Sequence, residues 1–167
     1  MAIVCGLGEN GKQIPRWNRS SLGEKHDYRR SCRFQAEVGL MKAECVITNG
    51  ALLPARYSAL GFTAHVVIAL KVGRIYEVYG TSVWHSIVSF LVMDEDESPS
   101  WYPAEVFKIV DDTVPDNWFF KYFSDDQLSL QAVWGPERLV KEEGFYEALA
   151  DGDPTAVHTF RTELSSR

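Results

Sequence analysis

The chain has 167 residues, 46% hydrophobic and 24% charged, which suits one folded domain with a short appendage and excludes disorder throughout. Three cysteines, at positions 5, 32 and 45 and without a Cys-x-x-Cys pair, point to neither a disulfide framework nor a zinc site. The longest apolar run, residues 59–70, is too short for a membrane span and contains His65; with no secretory pattern at the start, a cytoplasmic location is the expectation.

Charge divides the chain. Residues 1–40 carry seven Lys/Arg against four Asp/Glu, a net +3, whereas residues 41–167 carry ten against nineteen, a net −9. The first segment has no helical or alternating period and reads as an irregular basic arm. Arg16, Trp17, Arg19, Arg29, Arg30 and Arg33 give it the mixture of cations and rings that grips single-stranded nucleic acid. The acidic remainder would repel phosphate and attract cationic partners. Residues 41–167 read as a single domain, α+β and mainly β.

Strand signals begin near residue 62. Residues 65–71 form a β-branched apolar run closed by Gly73, and residues 75–79 a second run broken by Gly80. Residues 82–93 read as one long strand or a strand with a bulge, ending in the acidic turn Asp94, Glu95, Asp96 and Glu97. Residues 101–110 resume the pattern, with Pro103 demoting the first part to an edge or a bend. Asp111 and Asp112 open the next turn, residues 118–123 make another strand, Asp125 and Asp126 mark a turn, and residues 128–134 form the last strand. Such short strands with regular turns predict an antiparallel barrel or meander over residues 62–134. Ile75, Val78, Ile87, Phe90, Val92, Phe107, Ile109 and Phe119 are the predicted members of one core.

The chain ends in helices. Pro136 opens a helix over residues 136–150 with Gly144 as its weak point, and Asp153 caps a second over residues 154–164 with Pro154 at its first position. These helices are expected to cover one face of the sheet.

Several motifs invite chemistry without supporting it. Gly6, Gly8, Gly11 and Lys12 fit both a dinucleotide fingerprint and part of a phosphate loop, and residues 90–95 look like an apolar strand ending in a Mg²⁺-holding carboxylate. Gln13 stands where the loop needs a hydroxyl, Pro15 interrupts the required helix, and the strands that follow lack intervening helices. His26, His65, His85 and His158 are not spaced for a metal on one helix face. No nucleophile elbow is present. The chain therefore reads as a non-enzymatic protein that needs no cofactor and no metal.

What remains is a pairing of aromatics with carboxylates. Trp84, Trp101, Trp118 and Trp134 stand at or near strand ends, alternating with acidic turns. Trp84, His85 and Trp101, with Asp94, Glu95, Asp96, Glu97, Asp111, Asp112, Asp125 and Asp126, are the candidate contacts for a basic protein partner: rings anchor and charges steer.

The stretch from Gly73, Tyr76 and Val78 through Trp101, Tyr102 and Ala104 to Pro115, Asn117 and Trp118 resembles a Src-homology-3-like small barrel, over residues 70–120 only. The tandem aromatic motif of the peptide-binding members is absent, so the resemblance does not imply Pro-rich ligands. In size and acidity the chain also resembles small bacterial immunity-type proteins, which implies a basic toxin or nuclease as partner.

Overall fold

The computed structural model describes residues 39–63, 65–66, 68–124 and 129–164. The basic arm up to residue 38, and the turn carrying Asp125 and Asp126, lie outside the described residues. Among those described, eight strands form two open antiparallel sheets, so the expected barrel does not close. The smaller sheet has the order β2-β1-β6, with β1 at Lys42–Cys45, β2 at Ile75–Glu77 and β6 at Phe107–Asp111. The larger has the order β5-β4-β3-β8-β7, from β3 (Gly80–Trp84), β4 (Ile87–Met93), β5 (Pro99–Pro103), β7 (Phe119–Tyr122) and β8 (Leu130–Gly135).

The apolar run of residues 82–93 is two strands rather than one. His85 (φ 48°) and Ser86 (φ 62°) make a two-residue hairpin turn between β3 and β4 with both central residues left-handed. Such turns favour Asn-Gly or Gly-Gly, and His-Ser gives no such signal. The Ser86 N–H donates to Gln131 Oε1 at 2.7 Å and the His85 N–H to the Ser129 carbonyl at 2.9 Å, so β8 holds the turn in place.

Residues 101–110 are likewise divided. β5 is the edge strand, and after Pro103 a 3₁₀ turn, Ala104–Val106, carries the chain into the other sheet as β6. The described residues among 65–71 form no strand: Ile68 and Leu70 are buried, but Leu70 N–H closes on the Ile68 carbonyl at 2.8 Å in a bend. This segment packs onto the core without joining a ladder.

The larger sheet is covered on both sides. Phe90 and Val92 of β4 join Val78, Phe107, Tyr76 and Tyr102 in a core shared with the smaller sheet. Leu91, between them, joins Val133, Leu139, Leu149 and Phe160 in a second core beneath the helices. The single predicted core is thus two. Ile75 and Ile109, both predicted inside, are 55% and 50% exposed, since both lie on the outer strands of the smaller sheet. Phe119 is half-buried and packs against the second core.

Three short helices follow: α1 (Glu137–Lys141), α2 (Phe145–Ala150) and α3 (Pro154–Thr159), the last continuing into a π-helical turn, Phe160–Leu164. Gly144, at φ 78°, splits the helix expected over residues 136–150. Asp153 caps α3 as its sequence implies, Oδ1 accepting from the N–H groups of Thr155 (2.9 Å) and Ala156 (3.0 Å). Gly80 and Gly135, paired neighbours on β3 and β8, let α1 settle on the sheet: a Cβ on either would stand 2.6 or 2.7 Å from Leu139 Cδ2.

Two stability outcomes follow from this packing. Phe107→Ala should cost about 3–5 kcal/mol in chemical denaturation, because the ring is buried between Tyr76 and Phe90, whereas Ile109→Ala should cost less than about 1 kcal/mol. A Phe107→Ala loss below about 1 kcal/mol would contradict the packing described. Ser86→Gly should stabilise the hairpin by about 1 kcal/mol through relief of left-handed strain, and an unchanged melting temperature would refute that strain.

Candidate functional site

Trp84 and Trp101 meet in an open cleft of about 840 Å³ between the β5 end of the larger sheet and helices α2 and α3. They arrive there by strand alternation. Gly80, Ser82 and Trp84 share the helix-facing side of β3, and Trp101 on β5 pairs with Leu91, whose side chain points into the helical core. Tyr146 of α2 descends onto this surface, its hydroxyl donating to the buried Ser82 Oγ at 3.3 Å. Its ring lies over Trp101 with centroids 5.0 Å apart and planes tilted by 44°. Burial, the first cause, pushes the Tyr146 phenol above its ordinary pKa, keeping the hydroxyl protonated and able to donate.

The floor is completed by Ser98, Pro99 and Ser100, and the helical side by Leu149, Val157 and Pro154. Glu147 and Asp151 border the cleft, and among the described residues no Lys, Arg or His lines it. Trp101 Nε1 is buried without an acceptor, so what the ring offers the cleft is its π surface rather than its polar edge.

The acidic turn between β4 and β5 has a different character. Asp94 is saturated by its own hairpin: Oδ1 accepts from the N–H groups of Asp96 (3.0 Å) and Ser98 (2.9 Å), Oδ2 from the hydroxyls of Ser100 (2.9 Å) and Tyr102 (3.1 Å). Burial, reinforced by Asp94, drives the Tyr102 phenol far above its usual pKa, so it stays a donor. Glu95 is ion-paired to Lys71 Nζ at 2.6 Å and Arg74 NH1 at 2.7 Å, and accepts from the Tyr76 hydroxyl at 2.7 Å. The same Tyr76 oxygen accepts the Lys71 N–H at 2.8 Å, and burial followed by the Glu95 bond raises its pKa to about 12. Lys71, then Tyr76 and Arg74, hold the Glu95 carboxyl below its ordinary value. Asp94 therefore organises the hairpin itself, and Glu95 clamps it to the loop before β2. Asp96 and Glu97 project into solvent, Glu97 at φ 58° with its carbonyl accepting from Arg161.

His85 stands edge-on to Trp84, centroids 4.3 Å apart, and is not among the residues lining the cleft. Asp111 ends β6 in the other sheet and Asp112 follows it; Asp111 Oδ1 accepts from the Thr113 N–H at 3.1 Å, and its pKa is lowered first by the Thr113 side chain and then by that backbone bond. The structure thus gathers Trp84 and Trp101, places Ser98–Ser100 of the acidic hairpin beside them, and leaves Asp111 and Asp112 elsewhere. Arg16, Trp17, Arg19, Arg29, Arg30, Arg33, Asp125 and Asp126 lie outside the described residues.

Sequence reasoning missed Tyr146, Glu147 and Asp151. Their spacing showed only a helix face, and nothing local pairs α2 with β5 across more than 40 residues. It also missed an aromatic ladder on the other face of the larger sheet. Phe120 stacks on Trp134 with centroids 4.5 Å apart, and Phe120, Tyr122 and Trp134 are 55%, 67% and 36% exposed.

No protein-family model, curated protein or solved structure matches the chain. Among the described residues no three His, Cys, Asp or Glu side chains are grouped to hold a metal ion, and no helix is long and apolar enough to cross a membrane. The buried Cys45 thiol has its pKa raised by desolvation and donates to the Ile47 carbonyl at 3.4 Å, an environment that suppresses thiolate reactivity.

The Glu95 clamp fixes a pH dependence. A carboxyl with a lowered folded pKa contributes stability above its ordinary pKa and loses it as pH falls through the folded value. Glu95→Gln should therefore be destabilised relative to the native chain at pH 7, with the difference shrinking as denaturation is repeated from pH 5 towards pH 3. A difference that stays constant across that range would show the clamp to be other than ionic.

Proposed function

We propose that the chain is a non-enzymatic protein-binding module whose partner is a basic protein, held by the aromatic cleft and steered by the surrounding acidic surface. The observation that carries this is a cleft walled by Trp84, Trp101 and Tyr146 and bordered by Glu147 and Asp151, with no basic residue among the described residues that line it. The net −9 of residues 41–167 adds a long-range field of the same sign. Within that class we propose an immunity-type protein, acting in the cytoplasm, that neutralises a basic toxin or nuclease. The likeness of residues 70–120 to Src-homology-3-like proteins belongs to this proposal, limited to the individual strands since the sheets are open. An alternative role, nucleic-acid binding through the basic arm, rests on the +3 of residues 1–40.

The division of labour in the acidic turn refines the test. Asp96 and Glu97 are free to steer, whereas Asp94 and Glu95 are engaged in the fold. With the protein encoded beside this chain's gene as the trial partner, Asp96→Asn with Glu97→Gln should slow association and flatten its salt dependence at unchanged stability. Trp101→Ala should instead speed dissociation. Absence of a complex at low salt would overturn the reading, and salt-dependent binding of single-stranded DNA lost on removing residues 1–40 would favour the alternative.

A further inference from the structure

Four times in this fold one cation serves a ring and a carboxylate together. Arg74 lies over Tyr76, 5.4 Å from the centroid, and pairs with Glu95 at 2.7 Å. Arg56 lies over Tyr57 at 5.0 Å and pairs with Glu105. Arg138 lies over Phe145 at 6.0 Å and pairs with Glu142 and Glu163 at 3.1 and 3.0 Å, and Lys141 lies over Phe119 at 3.9 Å and pairs with Glu137 at 3.0 Å. The cleft has the other two members of the same arrangement. Trp101, Tyr146 and Trp84 supply the π surface, Glu147 and Asp151 the carboxylates, and among the described residues no cation is set against any of them.

The position of the two carboxylates sharpens this. Glu147 lies in the first turn of α2 and Asp151 is its C-cap; four residues apart, they are neighbours of like sign on one helix face. Asp151 also stands at the C-terminal cap of α2, where the backbone carbonyls already favour a positive group. Glu147 borders a second hollow as well, on whose wall stand Lys121 and Lys141. Those two cations are engaged by Phe123 and by Phe119 with Glu137, and neither reaches Glu147.

We propose that this cleft is the receptor for one arginine side chain of a partner, its guanidinium stacked on the Trp101–Tyr146 surface and forked between Glu147 and Asp151. Arginine is favoured over lysine because a planar guanidinium stacks and donates from its edge at once, whereas an ammonium acts as a point charge. Three of the four arrangements within the fold use arginine. The cleft volume of about 840 Å³ exceeds that of one side chain, leaving room for the residues on either side of the arginine. This rests on the binding-module reading and names the chemistry its partner presents.

The probes are capped tripeptides, acetyl-Gly-Arg-Gly-amide and its lysine and citrulline counterparts, added to the full chain at low salt. Binding is followed through the ring-proton resonances of Trp84 and Trp101. The arginine peptide should bind with the lysine peptide several-fold weaker, and citrulline, an uncharged isostere, on the order of tenfold weaker or more. Glu147→Gln with Asp151→Asn should lower arginine affinity on the order of tenfold without shifting the melting temperature, since both side chains are exposed. Equal binding of arginine and citrulline, or no arginine binding up to millimolar concentration, would overturn the inference. If a basic partner protein binds the native chain and the Gln/Asn variant equally, the arginine receptor is refuted while the binding-module reading stands. If the arginine peptide binds as expected but no basic protein does, the receptor stands and that reading falls.

Discussion

On β4, Phe90 and Val92 point one way, Leu91 points the other, and all three are buried. A strand segment buried on both faces cannot alternate apolar with polar residues, which is why residues 90–93 read as an unbroken hydrophobic run. The larger sheet is thereby the middle layer of three, and both other layers take their positions from it. The smaller sheet closes one core through Phe107 and Tyr76, and the helices close the other through Leu139, Leu149 and Phe160. The cleft lies at one margin of the helical layer, where α2 contacts β5 but does not fill the space beside Trp101.

That arrangement makes close approach a local necessity. α1 rests where Gly80 and Gly135 remove two Cβ atoms, so Leu139 is fully buried against the backbone of β3 and β8. α2 follows α1 after only a short turn at Gly144, and so the height at which Tyr146 meets Trp101 depends on those glycines. A side chain on Gly135 would lift Leu139 and, through it, alter the cleft 11 residues further along the chain at Tyr146.

The sequence made some of this legible. Asp153 with Pro154 announced a capped helix, residues 75–79 and 118–123 read as strands where 75–77 and 119–122 are, and Gly144 read as a weak point where the helix in fact divides. The His85-Ser86 turn was invisible because neither residue carries the usual signature of a left-handed turn; it is held by long-range bonds from β8 instead. The bend at residues 65–70 misled for the opposite reason. Its apolar residues signal burial, and Ile68 and Leu70 have it, but without a partner strand. As for the site, Trp84 and Trp101 stood out as large rings at strand ends. Nothing in the linear pattern distinguished Glu95, which is consumed by Lys71 and Arg74, from Asp96, which is not. Net charge counts both alike, whereas only the folded contacts separate a clamp from a free carboxylate.

This separation bears on what an acidic surface means. A carboxylate that clamps a turn is needed by the fold whatever the protein binds, and its charge is cancelled at short range by its own partners. Glu95 and Glu105 belong to that class. Glu147 and Asp151 do not: they repel one another, Asp151 sits at a helix end that favours the opposite charge, and among the described residues no cation pairs with either. Natural sequences are locally consistent except where function requires otherwise. Two like-charged carboxylates side by side, one of them at a helix C-terminus, beside three aromatic rings, form such an exception, and a cation arriving from outside removes each of its costs together. The fold is stable without that cation and better matched with it, which is the thermodynamic condition for a surface that waits for a partner.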